Sequence, residues 1–266
     1  MPETNASGWM IYYETHGDPA APPLLMTLGL SHRLAHWGGL PSMLAKRLFV
    51  VTFDCRGMGV SERRDEPYSV ADETEDMAAV MTAAGLDAAA IYGRSRGGML
   101  AQEFALRYPD QVTALVLSGT HFGGSDVLPA TQRVNAAMQL KPEMTREQIF
   151  ATQNEAMAAP GWKERDPEAF AYCLATDLEA PPRRFAVDRQ RGAIAAWSSR
   201  DRLAAITVST LVLCGADDGM VPPENGRNLA SRINGARLEL IPQCGHLPML
   251  EKPQTVARLV FEHLGV

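Results

Sequence analysis

The chain carries little that would staple, anchor or strongly charge it. Its four cysteines, Cys55, Cys173, Cys214 and Cys244, form no CxxC pair, so the closely spaced ligand pairs of a structural zinc site are missing. They lie in or beside apolar runs, where a free thiol behaves as a small buried hydrophobe. No apolar stretch approaches the roughly 20 residues of a membrane span. The amino end, MPETNASGWMIYYETHGD, has neither a basic n-region nor an apolar h-region. A secretory signal is therefore not expected, and the cytoplasm is the expected compartment. Cations are not in excess either: 25 Lys and Arg face 31 Asp and Glu, a formal net charge of −6. Neutralising phosphates takes clustered Lys and Arg, so neither nucleic acid nor a membrane is an expected partner. Internal repeats and low-complexity tracts are also missing.

What the 266 residues do contain is a rhythm. Short apolar runs recur: WMIYYE (Trp9 to Glu14), PLLMTL (Pro23 to Leu28), LFVVTFD (Leu48 to Asp54), AAAIYG (Ala88 to Gly93), VTALVLSGT (Val112 to Thr120), STLVLCG (Ser209 to Gly215) and ARLELIP (Ala236 to Pro242). The first alternates; most of the others are near-continuous, the habit of strands buried on both faces of a parallel sheet. Helix-like stretches separate them. VADETEDMAAVMTAAGL has acids early and a glycine late, and PQTVARLVFEHLG has a Pro start and a Gly stop. Strand and helix in alternation predict an α/β fold: a mostly parallel twisted sheet flanked by helices, with right-handed crossovers. From His121 to about Trp197 no strand is evident, and six prolines from Pro129 to Pro182 chop the segment into short helices. The expected division is a core of residues 1–120 and 198–266, with 121–197 inserted as a helical cap.

One junction carries chemistry. Gly93-Arg94-Ser95-Arg96-Gly97 is a G-x-S-x-G motif that follows an apolar strand and opens a helix. An abrupt strand-to-helix turn crowds its outer positions, where only glycine fits. It leaves the serine hydroxyl exposed at a helix amino end that favours anionic charge. A serine hydroxyl is a weak nucleophile until a base removes its proton. Asp217 and Asp218 follow one later strand and His246 follows the last. Both partners for Ser95 are thus present, in the order Ser, Asp, His.

Five stretches, TLGL, DCRGMGVS, GRSRGG, GADDGMVP and GHLPMLEKP, occur in order along the chain. In these the sequence resembles the α/β-hydrolase superfamily, most of all its small esterases, lactonases and perhydrolases. The resemblance covers nearly the whole chain. It implies a triad of Ser95, Asp218 and His246, with Asp218 preferred to Asp217 by its spacing from the glycine that ends the strand. It also implies an oxyanion hole from the backbone N–H groups of Arg96 and Leu30. The family has a His-Gly pair before the second donor, whereas this chain has Leu28-Gly29-Leu30; a backbone donor survives that change. No cofactor is required, and the expected partner is a small ester or lactone. Carbon–carbon bond hydrolysis, perhydrolysis and thioester cleavage use the same triad, and a slow ligand receptor is a reading from another class. Either a monomer or a homodimer fits the sequence.

The remaining polar residues divide less cleanly. Arg94, His32, Trp37 and His121 are the candidates for substrate contact. His32, His36 and His121 read as wall or solvated histidines, since no carboxylate or cysteine completes a metal set. DCRGMGVS lacks the Lys-Ser/Thr ending of a phosphate loop and reads as a turn supporting the nucleophile loop. Met99, Met138, Met144 and Met157 suit a pocket wall or core filling equally. Arg94 and Arg96 have two readings. Either reaches the pocket and favours a substrate carboxylate, or each pairs with a structural acid, Glu103 or one in the cap, or snorkels to water.

Overall fold

The computed structural model describes residues 2–139 and 142–266. Eight strands form a single sheet: β1 (Glu3–Ala6), β2 (Trp9–His16), β3 (Pro23–Thr27), β4 (Phe49–Phe53), β5 (Ala89–Arg94), β6 (Val112–Ser118), β7 (Ser209–Gly215) and β8 (Arg237–Ile241). Their spatial order is β1-β2-β4-β3-β5-β6-β7-β8. β1 and β2 pair antiparallel, β2 runs antiparallel to β4, and every later pairing is parallel. The seven strand regions read from the sequence are all present. β1 is additional: three of its four ETNA residues are polar and only Ala6 is buried, so it carries no apolar pattern, and pairing with β2 makes it a strand.

The parallel strands alternate their side chains between two apolar layers. Leu25, Val51, Ile91, Leu115 and Val212 face one layer, and Leu24, Met26, Val50, Tyr92, Val116 and Leu211 the other. Each fully buried aliphatic side chain contributes about 1.5–3 kcal/mol of transfer free energy, which is why these strands read as continuous apolar runs. The flanking helices are α1 (Leu40–Leu44), α2 (Val70–Ala83), α3 (Arg96–Arg107), then α4 (Gln132–Ala137), α5 (Arg146–Met157), α6 (Trp162–Arg165), α7 (Pro167–Glu179), α8 (Arg184–Ala195), and finally α9 (Pro223–Ala230), α10 (Pro248–Glu251) and α11 (Pro253–Leu264). α2 and α3 cover the first layer with Met77, Val80, Leu100 and Phe104, while α1 and α11 cover the second with Leu40, Leu44, Val256 and Val260. α2 starts in a capping box in which Ser69 and Asp72 bond each other's backbone N–H, worth about 1 kcal/mol. No helix among the described residues is long and apolar enough to cross a membrane.

The five helices α4 to α8 all lie between β6 and β7. The segment leaves and returns at one place. Gly123 bridges Ser198, and Ser199 N–H donates to the Phe122 carbonyl at 2.9 Å. The helices thus form a long excursion with its two ends tied, lying over the carboxyl ends of the strands.

Candidate active site

The site sits where β5, β7 and β8 end, the edge at which open α/β sheets bind ligands. At the end of β5 the chain turns straight into α3, with Ser95 at φ 54° and ψ −121°. A positive φ on a residue with a β-carbon is strained, and the surroundings hold it there. Ser95 N–H donates to the Ser118 carbonyl at 2.7 Å. The two outer glycines permit the turn. A β-carbon at Gly93 would lie 2.4 Å from the Gly97 carbonyl oxygen, and one at Gly97 would lie 2.2 Å from that of Thr27.

β7 and β8 deliver two further groups. Asp218, 3% exposed, follows β7. Its Oδ1 accepts from Met220 and Val221 N–H, both at 2.9 Å, and its Oδ2 lies 2.7 Å from His246 Nδ1. A carboxylate can only accept, so His246 Nδ1 carries the proton and Nε2 presents a lone pair. That lone pair faces Ser95 Oγ at 3.0 Å. Asp217 is exposed, and among the described residues the His246 Nδ1 contact is with Asp218. Burial, the largest influence, lowers the His246 pKa from its ordinary value; Asp218 opposes this and Arg94 adds to it. A neutral imidazole able to take a hydroxyl proton is what such an arrangement offers.

The loop carrying His246 is braced by a residue the sequence reading passed over. Glu251 Oε1 accepts from Gly245 and Leu247 N–H at 3.0 Å, and its Oε2 accepts from Ala159 N–H at 2.9 Å. The GHLPMLEKP stretch contains this acid, but only the folded loop shows that it is buried and facing three amides.

Leu30 and Arg96 both lie at the cavity beside Ser95. Among the described residues, no protein acceptor takes either backbone N–H; Arg96 is the first residue of α3, where no intrahelical partner exists. The cavity encloses about 310 Å³. Its floor is Arg94, Ser95 and His246, and its walls include Leu30, His32, Met99, His121 and Val221. Met138, Gln153, Met157, Val187, Arg191 and Ile194 come from the α4–α8 excursion. No acidic side chain is among the described lining residues. A larger hollow of about 540 Å³, bounded by Arg133, Met144 and Glu155, lies away from this chemistry; volume alone does not locate a reactive group.

The substrate-contact candidates separate. Arg94, His32 and His121 line the cavity; Trp37 does not. Trp37 is fully buried in the second apolar layer, its ring edge-on to Tyr92 at 5.3 Å. Its large apolar area is used by the core, which corrects the expectation of a substrate contact. His121 is held neutral, its pKa pushed down to about 4 by burial and by the nearby His246. The His32 pKa is lowered well below its ordinary value, chiefly by burial and then by His36, against which it stacks at 4.2 Å. Met99, Met138 and Met157 reach the cavity, whereas Met144 lines the other hollow.

The two arginines differ. Among the described residues Arg96 pairs with Glu73 of α2, and not with Glu103 or an acid of the cap. Glu103 is instead taken by Arg202 and Trp197. Among the described residues Arg94 meets no carboxylate: its Nη1 donates to His32 Nδ1 at 3.0 Å and its Nη2 to the His246 carbonyl, while Nε has no partner among them. Burial brings its pKa down to about 10. The DCRGMGVS turn makes structural contacts. Asp54 accepts from Leu34 N–H at 2.7 Å and Val60 N–H at 2.9 Å, so it steadies the loop after β3, and Arg56 grips Asp76 of α2 with two bonds of 2.7 Å.

Comparison with known proteins agrees with this architecture. The model of the alpha/beta hydrolase fold family matches residues 22–253. The chain is 31% identical over 250 residues to a Caulobacter segnis protein named "Putative carbamate hydrolase RutD", covering 92% of each chain. It is 30% identical over 262 residues to the 2-hydroxymuconate semialdehyde hydrolase of Pseudomonas sp. (strain CF600), covering 94% of this chain and 89% of that one. Among solved structures, Est816, described as an N-acyl homoserine lactone degrading enzyme, superposes with a TM-score of 0.81 at 27% identity, covering 98% of this chain and 99% of its own. The chain belongs to the α/β-hydrolase family.

Proposed function

We propose that the protein is a serine hydrolase cleaving a small carboxylic ester or lactone. The observation that carries this reading is the continuous chain from Asp218 Oδ2 to His246 (2.7 Å) to Ser95 Oγ (3.0 Å). His246 Nε2 takes the Ser95 proton as Oγ attacks the carbonyl carbon. The charge that develops on the carbonyl oxygen is met by the N–H groups of Leu30 and Arg96, each such donor worth about 2.7–4 kcal/mol of barrier. Protonated His246 returns its proton to the leaving alcohol, and an acyl ester remains on Ser95. Water then attacks that ester with His246 again as base, and Asp218 steadies the imidazolium in both halves. Residues 121–197 act as the cap that shapes the substrate chamber over the core of 1–120 and 198–266.

The cavity walls refine the substrate. Thioether and aliphatic groups suit an apolar portion, and Arg94 and Arg191, with no acid among the described lining residues, suit a carboxylate on the same molecule. Those cations and the resemblance to the semialdehyde hydrolase favour carbon–carbon bond hydrolysis as the second reading. Ser95→Ala is expected to lower turnover of p-nitrophenyl acetate by at least about 10⁴-fold. Retention of full activity in a clean preparation refutes the reading.

A further inference from the structure

The sequence offers no His-Gly pair to stiffen the loop after β3, yet that loop is held. We infer that Gln190, on α8 of the excursion, is a positioning residue that fixes the oxyanion loop and so couples seating of the excursion to catalysis. The inference rests on the proposed role of the Leu30 N–H.

Ser31 follows Leu30 and sits at φ 63°, in the left-handed region. The peptide unit joining Leu30 to Ser31 is pinned at both ends. Its carbonyl accepts from Ser31 Oγ at 2.6 Å, and its N–H donates to Gln190 Oε1 at 2.8 Å. Fixing that peptide plane fixes the backbone rotation of Leu30 on its carboxyl side, and on its amino side Gly29 packs against Arg94 Nη1 and Ser95 Cβ, which would lie 2.9 and 3.1 Å from an added β-carbon. An unconstrained left-handed residue relaxes readily, and relaxation here disturbs the neighbouring Leu30 N–H in the oxyanion role proposed for it.

The acceptor comes from far along the chain, 159 residues away. α8 is placed to supply it. Ala186 packs over Gly57, where an added β-carbon would lie 3.2 Å from it. Arg189 Nε bonds Asp65 Oδ1 at 2.9 Å. Gln190 itself is fully buried, and the next residue, Arg191, lines the cavity. The Gln190 Nε2 has no partner among the described residues. A buried unpaired amide is a cost that an apolar residue would avoid, so the feature that accounts for glutamine here is the bond made by Oε1.

The test replaces the acceptor while keeping the volume. Gln190→Met is expected to lower kcat on p-nitrophenyl acetate by at least about tenfold, with KM within about threefold, because the lost stabilisation acts on the transition state. Amide exchange of Ser31, followed by NMR, should accelerate at least about tenfold in the same variant. Unchanged kcat or unchanged Ser31 exchange overturns the inference. Gln190→Asn, one methylene too short to reach, gives the same two readouts if the methionine variant does not fold. The exchange measurement needs no turnover. Were the wild type inactive on every ester and lactone tried, the hydrolase reading would fall while Ser31 exchange still decided the contact.

Discussion

Arg94 and Arg96 flank Ser95, and both are buried, at 2% and 1% exposure. On the core side of the turn, Arg96 faces Glu73 of α2, itself 1% exposed. On the cavity side, Arg94 faces an imidazole and a backbone carbonyl and, among the described residues, no acid. The first arrangement is a closed ion pair whose charge ends within the fold. The second leaves a full positive charge beside His246 and on the cavity wall, where it adds to burial in lowering the imidazole's pKa. The same residue type, two positions apart, is structural on one side and electrostatic on the other.

The comparison breaks most sharply if Arg96 proves dispensable to folding. The pair is imperfect, since Arg96 Nε and Nη1 and Glu73 Oε1 have no partners among the described residues. A buried pair of this kind adds little over apolar replacements, but removing one partner strands the other charge. Arg96→Met is therefore expected to cost about 3–5 kcal/mol in urea denaturation, and Glu73→Leu added to it should restore most of that loss. Arg94→Met should cost far less, about 1 kcal/mol, because relief of the buried cation offsets the lost hydrogen bonds. Equal losses for the two single variants would dissolve the distinction.

The next effect is smaller and concerns protons. In the proposed mechanism His246 acts as a base only when neutral. Its pKa is lowered, chiefly by burial and with help from Arg94, so kcat/KM should hold its plateau to below the ordinary histidine value of about 6.5. Removing the cation makes His246 easier to protonate. In Arg94→Met the acid limb of the kcat/KM profile is expected to move up by about half a pH unit or more. In a folded variant of the Arg96–Glu73 pair, which loses both charges together, the limb should stay in place. A limb that moves equally in both would mean that Arg94 does not set the field at His246.

These contrasts also mark what the sequence can convey. The strands, the Ser95 turn and the order of Ser95, Asp218 and His246 were legible because each depends on local patterns: apolar runs, outer glycines and a position just past a strand. β1 was not, because its ETNA sequence becomes a strand only beside β2. Trp37 was misplaced because an indole suits a core as well as a pocket, and only packing against Tyr92 decides. Glu73, Glu251 and Gln190 went unnoticed as partners because their contacts span 23, 92 and 159 residues or close within a buried loop. Long-range pairing of single polar side chains leaves no periodic signal.

The smallest expected effect extends the comparison to a third arginine. Arg191 lines the same cavity as Arg94, but its side chain is 65% exposed and its nearest acid, Asp188, lies 3.7 Å away on its own helix. A solvated cation is screened, so its attraction for a substrate carboxylate is modest and salt-dependent. Arg191→Gln is expected to lower kcat/KM about threefold for carboxylate-bearing esters at low salt and to leave neutral esters within about twofold. Raising the salt should close the gap between variant and wild type. Arg94, being buried, should show a charge preference that salt hardly alters. Running both variants on matched anionic and neutral esters at two salt concentrations separates the two arginines. If the losses are equal for anionic and neutral substrates in both variants, neither guanidinium selects an anion, and the chamber discriminates by shape alone.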